Sequence, residues 1–172
     1  LGLDEYGPVG ARVFAQSSTV WYATVKIDKG SSDGLRDGMP VIDENGLVGT
    51  VSQTTRSAAV VTLITDHTSG VSGRTIQGRV PGIVQPTSAG NPGSLQFNLT
   101  GAGKISAGDR VVTRGTIDAR YPSLFPEGLP IGTVTAVDDP GSDTQEVRVR
   151  PFSDLRKLDN VQVLTRVPGA ES

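Results

Sequence analysis

Asp28-Lys29-Gly30-Ser31-Ser32-Asp33-Gly34-Leu35-Arg36-Asp37-Gly38-Met39-Pro40-Val41, followed after a short hairpin by Gly46-Leu47-Val48-Gly49-Thr50-Val51, is a pattern that occurs twice in this chain. Its first half returns as Ile105-Ser106-Ala107-Gly108-Asp109-Arg110-Val111-Val112, where Ile105 and Gly108 take the places of Leu35 and Gly38. Its second half returns as Leu129-Pro130-Ile131-Gly132-Thr133-Val134. Val61-Thr62-Leu63-Ile64-Thr65-Asp66 likewise has a counterpart in Val149-Arg150-Pro151-Phe152-Ser153-Asp154. Separated blocks that recur in one order imply two related units in series, each about half the chain.

Composition agrees with strands. The 172 residues include 22 Gly and 11 Pro but only one Met and four Phe, and the apolar positions are filled mostly by β-branched side chains, which suit a pleated surface. Sixteen basic residues oppose eighteen acidic ones for a net charge of −2, and neither sign gathers into a run, so nucleic acid is not expected as a partner. With no Cys, disulfides and thiolate metal sites are excluded. No apolar run approaches the roughly 20 residues of a membrane helix. The chain opens on Leu1 rather than Met, and the expectation is a piece excised from a longer protein.

Within the first unit, Trp21, Ala23, Val25 and Ile27 alternate with Tyr22, Thr24, Lys26 and Asp28, the two-residue period of a half-buried strand. Gly34 and Gly38 stand where a positive φ is cheap. Asn45-Gly46 between Val41-Ile42 and Leu47-Val48 predicts a hairpin, and further strands are expected over 49–54, 59–64 and 71–75. The second unit opens with Gly82-Ile83-Val84-Gln85, which answers Arg12 to Ala15, and continues through Leu95, Phe97 and Leu99. It carries an insertion, Tyr121-Pro122-Ser123-Leu124-Phe125-Pro126, and Ser153 to Leu158 reads as one capped helical turn. Six short antiparallel strands leave exposed edges unless the sheet curls, so the expected fold is all-β: two small six-stranded barrels, with tails at 1–10 and 168–172. The first barrel is expected over 11–77 and the second over 78–167.

Reactive chemistry is scarce. Asp66-His67 with Ser72 in Gly70-Val71-Ser72-Gly73 is the one arrangement reminiscent of a hydrolase. In extended chain adjacent side chains point to opposite faces, so Asp66 is not expected to orient His67 as a triad carboxylate must. The repeat has Asp154-Leu155 at this place, with no His, which favours capping. Asp138, Asp139 and Asp143, and the set Asp33, Asp37 and Asp43, lack the spacing of a Ca²⁺ loop. Gly101-Ala102-Gly103-Lys104 lacks the Ser/Thr and the helix of a phosphate loop. Asn98-Leu99-Thr100 fits a glycosylation acceptor by chance. No catalytic residue, metal or cofactor is expected. Trp21 lies on the apolar phase and reads as core, Tyr22 faces the other way, and Tyr121 and Phe125 either plug the second barrel or meet a partner.

The blocks from Trp21-Tyr22 through Val25-Lys26-Ile27-Asp28-Lys29-Gly30-Ser31-Ser32-Asp33-Gly34, Gly38-Met39-Pro40-Val41, Gly46-Leu47-Val48-Gly49, Leu63-Ile64-Thr65-Asp66 and Gly108-Asp109, with the run from Tyr121-Pro122 to Gly128-Leu129-Pro130-Ile131-Gly132, resemble the MreC family of rod shape-determining proteins. The resemblance covers residues 12–166. It implies two β-barrels of trypsin-like architecture on the extracytoplasmic face of a bacterial membrane, anchored by an N-terminal transmembrane helix and a coiled coil that this sequence lacks. It also implies a self-associating, non-enzymatic scaffold of the cell-elongation complex. Its implied partners are the elongation-specific class B penicillin-binding transpeptidase, MreD and the MreB/RodA machinery. Tyr22, Tyr121, Leu124 and Phe125 are the expected contacts with partners or copies. Gly30, Gly34, Gly38, Asn45, Gly46, Gly49, Asp66, Gly108, Gly132 and Asp154 are the expected structural turn positions. The alternatives are a degenerate or cryptic serine hydrolase and, last, a small-ligand binder, since six-stranded barrels are normally filled by side chains.

Overall fold

Alternating β-branched residues form twelve strands among the residues that this computed structural model describes, which are 4–18, 23–87, 94–114, 125–142 and 145–166. They are β1 (Pro8–Ser18), β2 (Ala23–Ile27), β3 (Pro40–Ile42), β4 (Leu47–Thr54), β5 (Ala59–Leu63), β6 (Val71–Thr75), β7 (Pro81–Pro86), β8 (Leu95–Leu99), β9 (Arg110–Thr113), β10 (Pro130–Asp138), β11 (Glu146–Pro151) and β12 (Asn160–Leu164). They close into two barrels with neighbours in the orders β1-β12-β3-β4-β5-β2 and β10-β11-β8-β7-β6-β9. This is the all-β double barrel expected from the sequence. Val25, Ile27, Val61 and Val163 fill the first interior, and Val84, Leu95, Phe97 and Val149 the second. These and the residues between the barrels form one continuous apolar core.

The expected boundary between the units does not match the strand pairing. β6, placed by sequence order in the first barrel, pairs with β7 and β9 of the second, Val71 opposite Val84 and Gly73 opposite Thr113. β12, the last strand of the second repeat, pairs with β1 and β3 of the first. Each repeat therefore donates its sixth strand to the other, and neither 11–77 nor 78–167 is a complete barrel. The reason lies in the pairing edges. Five strands of a repeat leave the outer edges of its first and third strands open, and the strand that satisfies both comes from the other repeat. The first and last of the described residues are held too: Asp4–Tyr6 forms a 3-10 turn, and the Arg166 amide donates to the Tyr6 carbonyl at 2.8 Å, so residues 4–10 are structured rather than a tail.

The repeated residues occupy equivalent places. Gly38 and Gly108 have φ of 92° and 96°, and their amides donate to Val51 and Val134 at 2.6 and 2.8 Å. Gly49 lies opposite Leu63 and Gly132 opposite Pro151. A Cβ on Gly49 would run into the Thr62 carbonyl and one on Gly132 into the Arg150 carbonyl, the same residue of each repeat. Asn45-Gly46 lies in the expected hairpin but has no positive φ. Instead the Asp43 carboxylate accepts the amides of Asn45 and Gly46 at 2.8 and 3.0 Å. Gly46 serves the junction, where a Cβ would come within 2.6 Å of the Pro130 carbonyl. Ser153 to Leu158 forms a turn without helix, in which Asp154 accepts the Arg156 amide.

Where β5 passes into β6, Asp66 is 2% exposed and accepts the Ala23 amide at 2.8 Å, which ties the start of β2 to the crossing. The Thr68 hydroxyl and amide donate to its other oxygen at 2.6 and 3.0 Å. Burial works to raise the Asp66 pKa. These donors, with His67, outweigh it and hold the carboxyl below its ordinary value. A folded pKa below the unfolded one means that the stabilisation is complete above the unfolded value and is lost as pH falls through the folded one.

Asp66→Asn is expected to cost about 1–3 kcal/mol at neutral pH in denaturant titrations. Its stability should also fall less steeply than that of the parent below about pH 4, and parallel pH profiles would remove Asp66 from this role. Gly49→Ala and Gly132→Ala are each expected to cost about 1–3 kcal/mol by overpacking against main chain. Gly10→Ala, which meets nothing within 4 Å, should leave the melting temperature almost unchanged.

Candidate interaction surfaces

Of the contacts expected from sequence, Tyr22, Tyr121 and Leu124 lie outside the described residues, as does Trp21. Phe125 is half-buried and packs against the core. It lines a cleft of about 280 Å³ between the barrels with Gly49, Val51, Ile64 and Val71. The return of the inserted loop is pinned there, because the buried Thr113 hydroxyl donates to the Pro126 carbonyl at 2.5 Å and accepts the Leu129 amide at 2.8 Å. Phe125 is thus an anchoring side chain of the loop.

Among the described residues the large apolar side chains that face solvent are others: Phe14, 58% exposed, Ile76, 51%, and Ile83, 37%. Phe14 sits at the register shift between Val13 and Ala15, where a β-bulge turns its ring outward. Ile83 lies on the outer phase of β7 between buried Gly82 and Val84, and Ile76 follows buried Thr75 at the β6–β7 turn. Ile83 and Phe14 were accessible to sequence reading as apolar residues in the outward phase of their strands. The bulge at Phe14 had no sequence signal.

His67 Nδ1 lies 3.5 Å from Asp66 Oδ1, contrary to the expectation that adjacent side chains point apart. The expectation assumed extended chain, whereas the Asp66 and Ser69 amides bond back to Leu63 and Asp66 in consecutive turns. Both Asp66 oxygens also hold the crossing together. Ser72 is exposed on β6 opposite Ile83. Among the described residues no group of three or more His, Asp or Glu side chains is placed to hold a metal, and no helix is long and apolar enough to cross a membrane.

A polar groove of about 920 Å³ lies on the first barrel. It runs along the start of β1 and β12 past the Asp43–Asn45 hairpin and the Asp154–Asp159 crossing. Its lining carries five carboxylates, Asp28, Asp43, Glu44, Asp154 and Asp159, against three cations. At the opposite extreme of charge, Arg79, Lys104 and Arg110 are exposed on the second barrel, and none has a carboxylate partner among the described residues.

Residues 13–165 match the family model described as "Rod shape-determining protein MreC, barrel core". The cell shape-determining protein MreC of Listeria monocytogenes is 33% identical over 95% of this chain and 55% of its own length, so the chain spans about half the length of the curated relatives it matches. The crystal structure of MreC from Pseudomonas aeruginosa superposes with a TM-score of 0.78 at 28% identity, covering 91% of this chain and 97% of that one. The major periplasmic domain of the cell shape-determining filament MreC superposes with a TM-score of 0.73 at 25% identity, covering 91% and 96%. A more distant likeness of fold, 15% identical with a TM-score of 0.61 over 92% and 99% of the chains, comes from a complex between penicillin-binding protein PBP2 and MreC from Helicobacter pylori. Two repeats of one strand pattern, closed into paired barrels and matched from residue 13 to residue 165, place this chain in the MreC family of rod shape-determining proteins.

Proposed function

We propose that this chain is the extracytoplasmic part of a membrane-anchored, non-enzymatic scaffold of the bacterial cell-elongation complex, and that it acts through its outer surfaces. The family match over residues 13–165 carries this reading. Two barrels with side-chain-filled interiors and reciprocally exchanged strands support it, because such a body presents fixed surfaces to its partners. The periplasmic placement and filament of the relative with 25% identity support an extracytoplasmic, self-associating role. The class B transpeptidase is proposed as a partner by analogy with the Helicobacter pylori complex, whose likeness to this chain is one of fold. MreD and the MreB/RodA machinery follow from the family reading alone.

The mechanism proposed is a population shift. A rigid double barrel that binds the open transpeptidase more tightly than the closed one activates it by that difference in affinity. A hundredfold preference corresponds to about 2.7 kcal/mol, within reach of one apolar anchor.

The cryptic-hydrolase alternative has the 3.5 Å approach of His67 to Asp66 in its favour. Against it stand the structural bonds of Asp66 and the placement of Ser72 on an outer strand face.

Titrating a class B transpeptidase ectodomain against the immobilised chain is expected to give saturable binding, and adding the chain should raise transpeptidase turnover. Binding without a rise in turnover would remove the activation step. An active-site serine probe should label the parent chain and His67→Ala alike at background level, and labelling that depends on His67 would revive the hydrolase.

A further inference from the structure

One end of the second barrel brings three cations together from three separate chain segments. The β6–β7 turn is clamped by Thr75, whose amide donates to the Val80 carbonyl at 3.1 Å while its hydroxyl accepts the Val80 amide at 3.0 Å. Within that turn Arg79 has a φ of 54° and is exposed. Gly78 packs so tightly under the next loop that a Cβ on it would lie 2.9 Å from the Lys104 carbonyl. The start of β9 is stitched to the same turn, since the Ile76 amide donates to the Arg110 carbonyl at 2.9 Å and the Arg110 amide to the Gln77 side chain at 3.0 Å. The main chain at Arg79, Lys104 and Arg110 is thus gathered with the half-exposed Ile76 at one internally bonded tip, where the nearby Asp109 carboxylate accepts the Ser106 amide.

A tip with three exposed cations on one barrel and a groove with more carboxylates than cations on the other are opposite in sign within a single sequence. We infer that the tip formed by Ile76, Arg79, Lys104 and Arg110 docks into the Glu44–Asp159 groove of a second copy of this chain. The inference rests on the self-association reading above and names its surface. Tip and groove are different patches, so the contact is heterologous, and repetition in one direction gives an open filament unless the rotation closes a ring. Opposed charges across such a contact set register and speed encounter.

Sedimentation velocity of the full 172-residue chain over a concentration series tests it. R79E/K104E/R110E and E44K/D159K are each expected to weaken association roughly tenfold or more at low salt, and the chain carrying all five reversals to recover it. Raising NaCl to about 0.5 M should weaken the parent. All variants should nearly keep the parent melting temperature, because the substituted side chains are exposed and the one ion pair lost, Arg12 with Asp159 at 3.9 Å, is solvent-exposed. Variants that associate as the parent does overturn the surface and leave self-association on another face, whereas a chain monomeric throughout the series overturns both. Flotation with phosphatidylglycerol vesicles that is lost in R79E/K104E/R110E, with self-association unchanged, would reassign the cations to lipid headgroups.

Discussion

Everything in this molecule depends on how two five-stranded sheets dispose of their open edges. β1 and β3 of the first repeat, like β7 and β9 of the second, each have an unpaired row of amides and carbonyls that a closed barrel must satisfy. The strand that bridges them is the last one of the other repeat. Reciprocal exchange binds the halves more firmly than any surface contact between finished barrels would. Opening one barrel strips the other of its sixth strand, and the apolar core runs through both. The double barrel is expected to behave as one cooperative body despite its duplicated origin.

The two places where the chain crosses between barrels carry the polar bonds that set their relative placement. They began as copies and have diverged. At the first crossing Asp66 is buried and gathers three donors from the turn and from β2. At the second the equivalent Asp154 faces solvent and caps its own turn, and the cross-link is made by its neighbour, Ser153, whose hydroxyl donates to Asp43 at 2.6 Å. The same Asp43 oxygen orders the Asn45-Gly46 hairpin that Pro130 and Phe152 press against. One hairpin thus links the β3–β4 connection of the first barrel to the end of β11 in the second.

A body held this way keeps its interior closed to other molecules. Among the described residues the side chains that fill the interiors are Val, Leu, Ile, Ala and one Phe, and polar groups there, such as Thr75 and Thr113, are taken up by the backbone of adjoining turns. What is left for other molecules among the described residues is the exterior: an aromatic ring turned out by a bulge at Phe14, a cationic tip, an acidic groove, and the cleft between the barrels that Phe125 lines. Surfaces carried by rigid strands are presented without an ordering cost, which favours selection of one partner conformation over another.

The amino-acid sequence by itself determined that this is a twofold strand protein. Alternation at Ala23, Val25 and Ile27, the glycines at 34, 38 and 108, and the recurrence of whole blocks depend on backbone sterics and on which face of a strand is dry. Both are properties of short stretches of chain. Which barrel β6 and β12 complete was decided only by tertiary structure, because alternation records a buried face and not the neighbour that supplies the hydrogen bonds. The same holds for Gly46, small because of Pro130 across the junction rather than because of its own turn, and for His67, brought beside Asp66 by a turn where extended chain would part them. The tip and the groove are likewise assembled from segments far apart in the chain, so their charges are scattered in the sequence and gathered only once the exchanged strands close the two barrels.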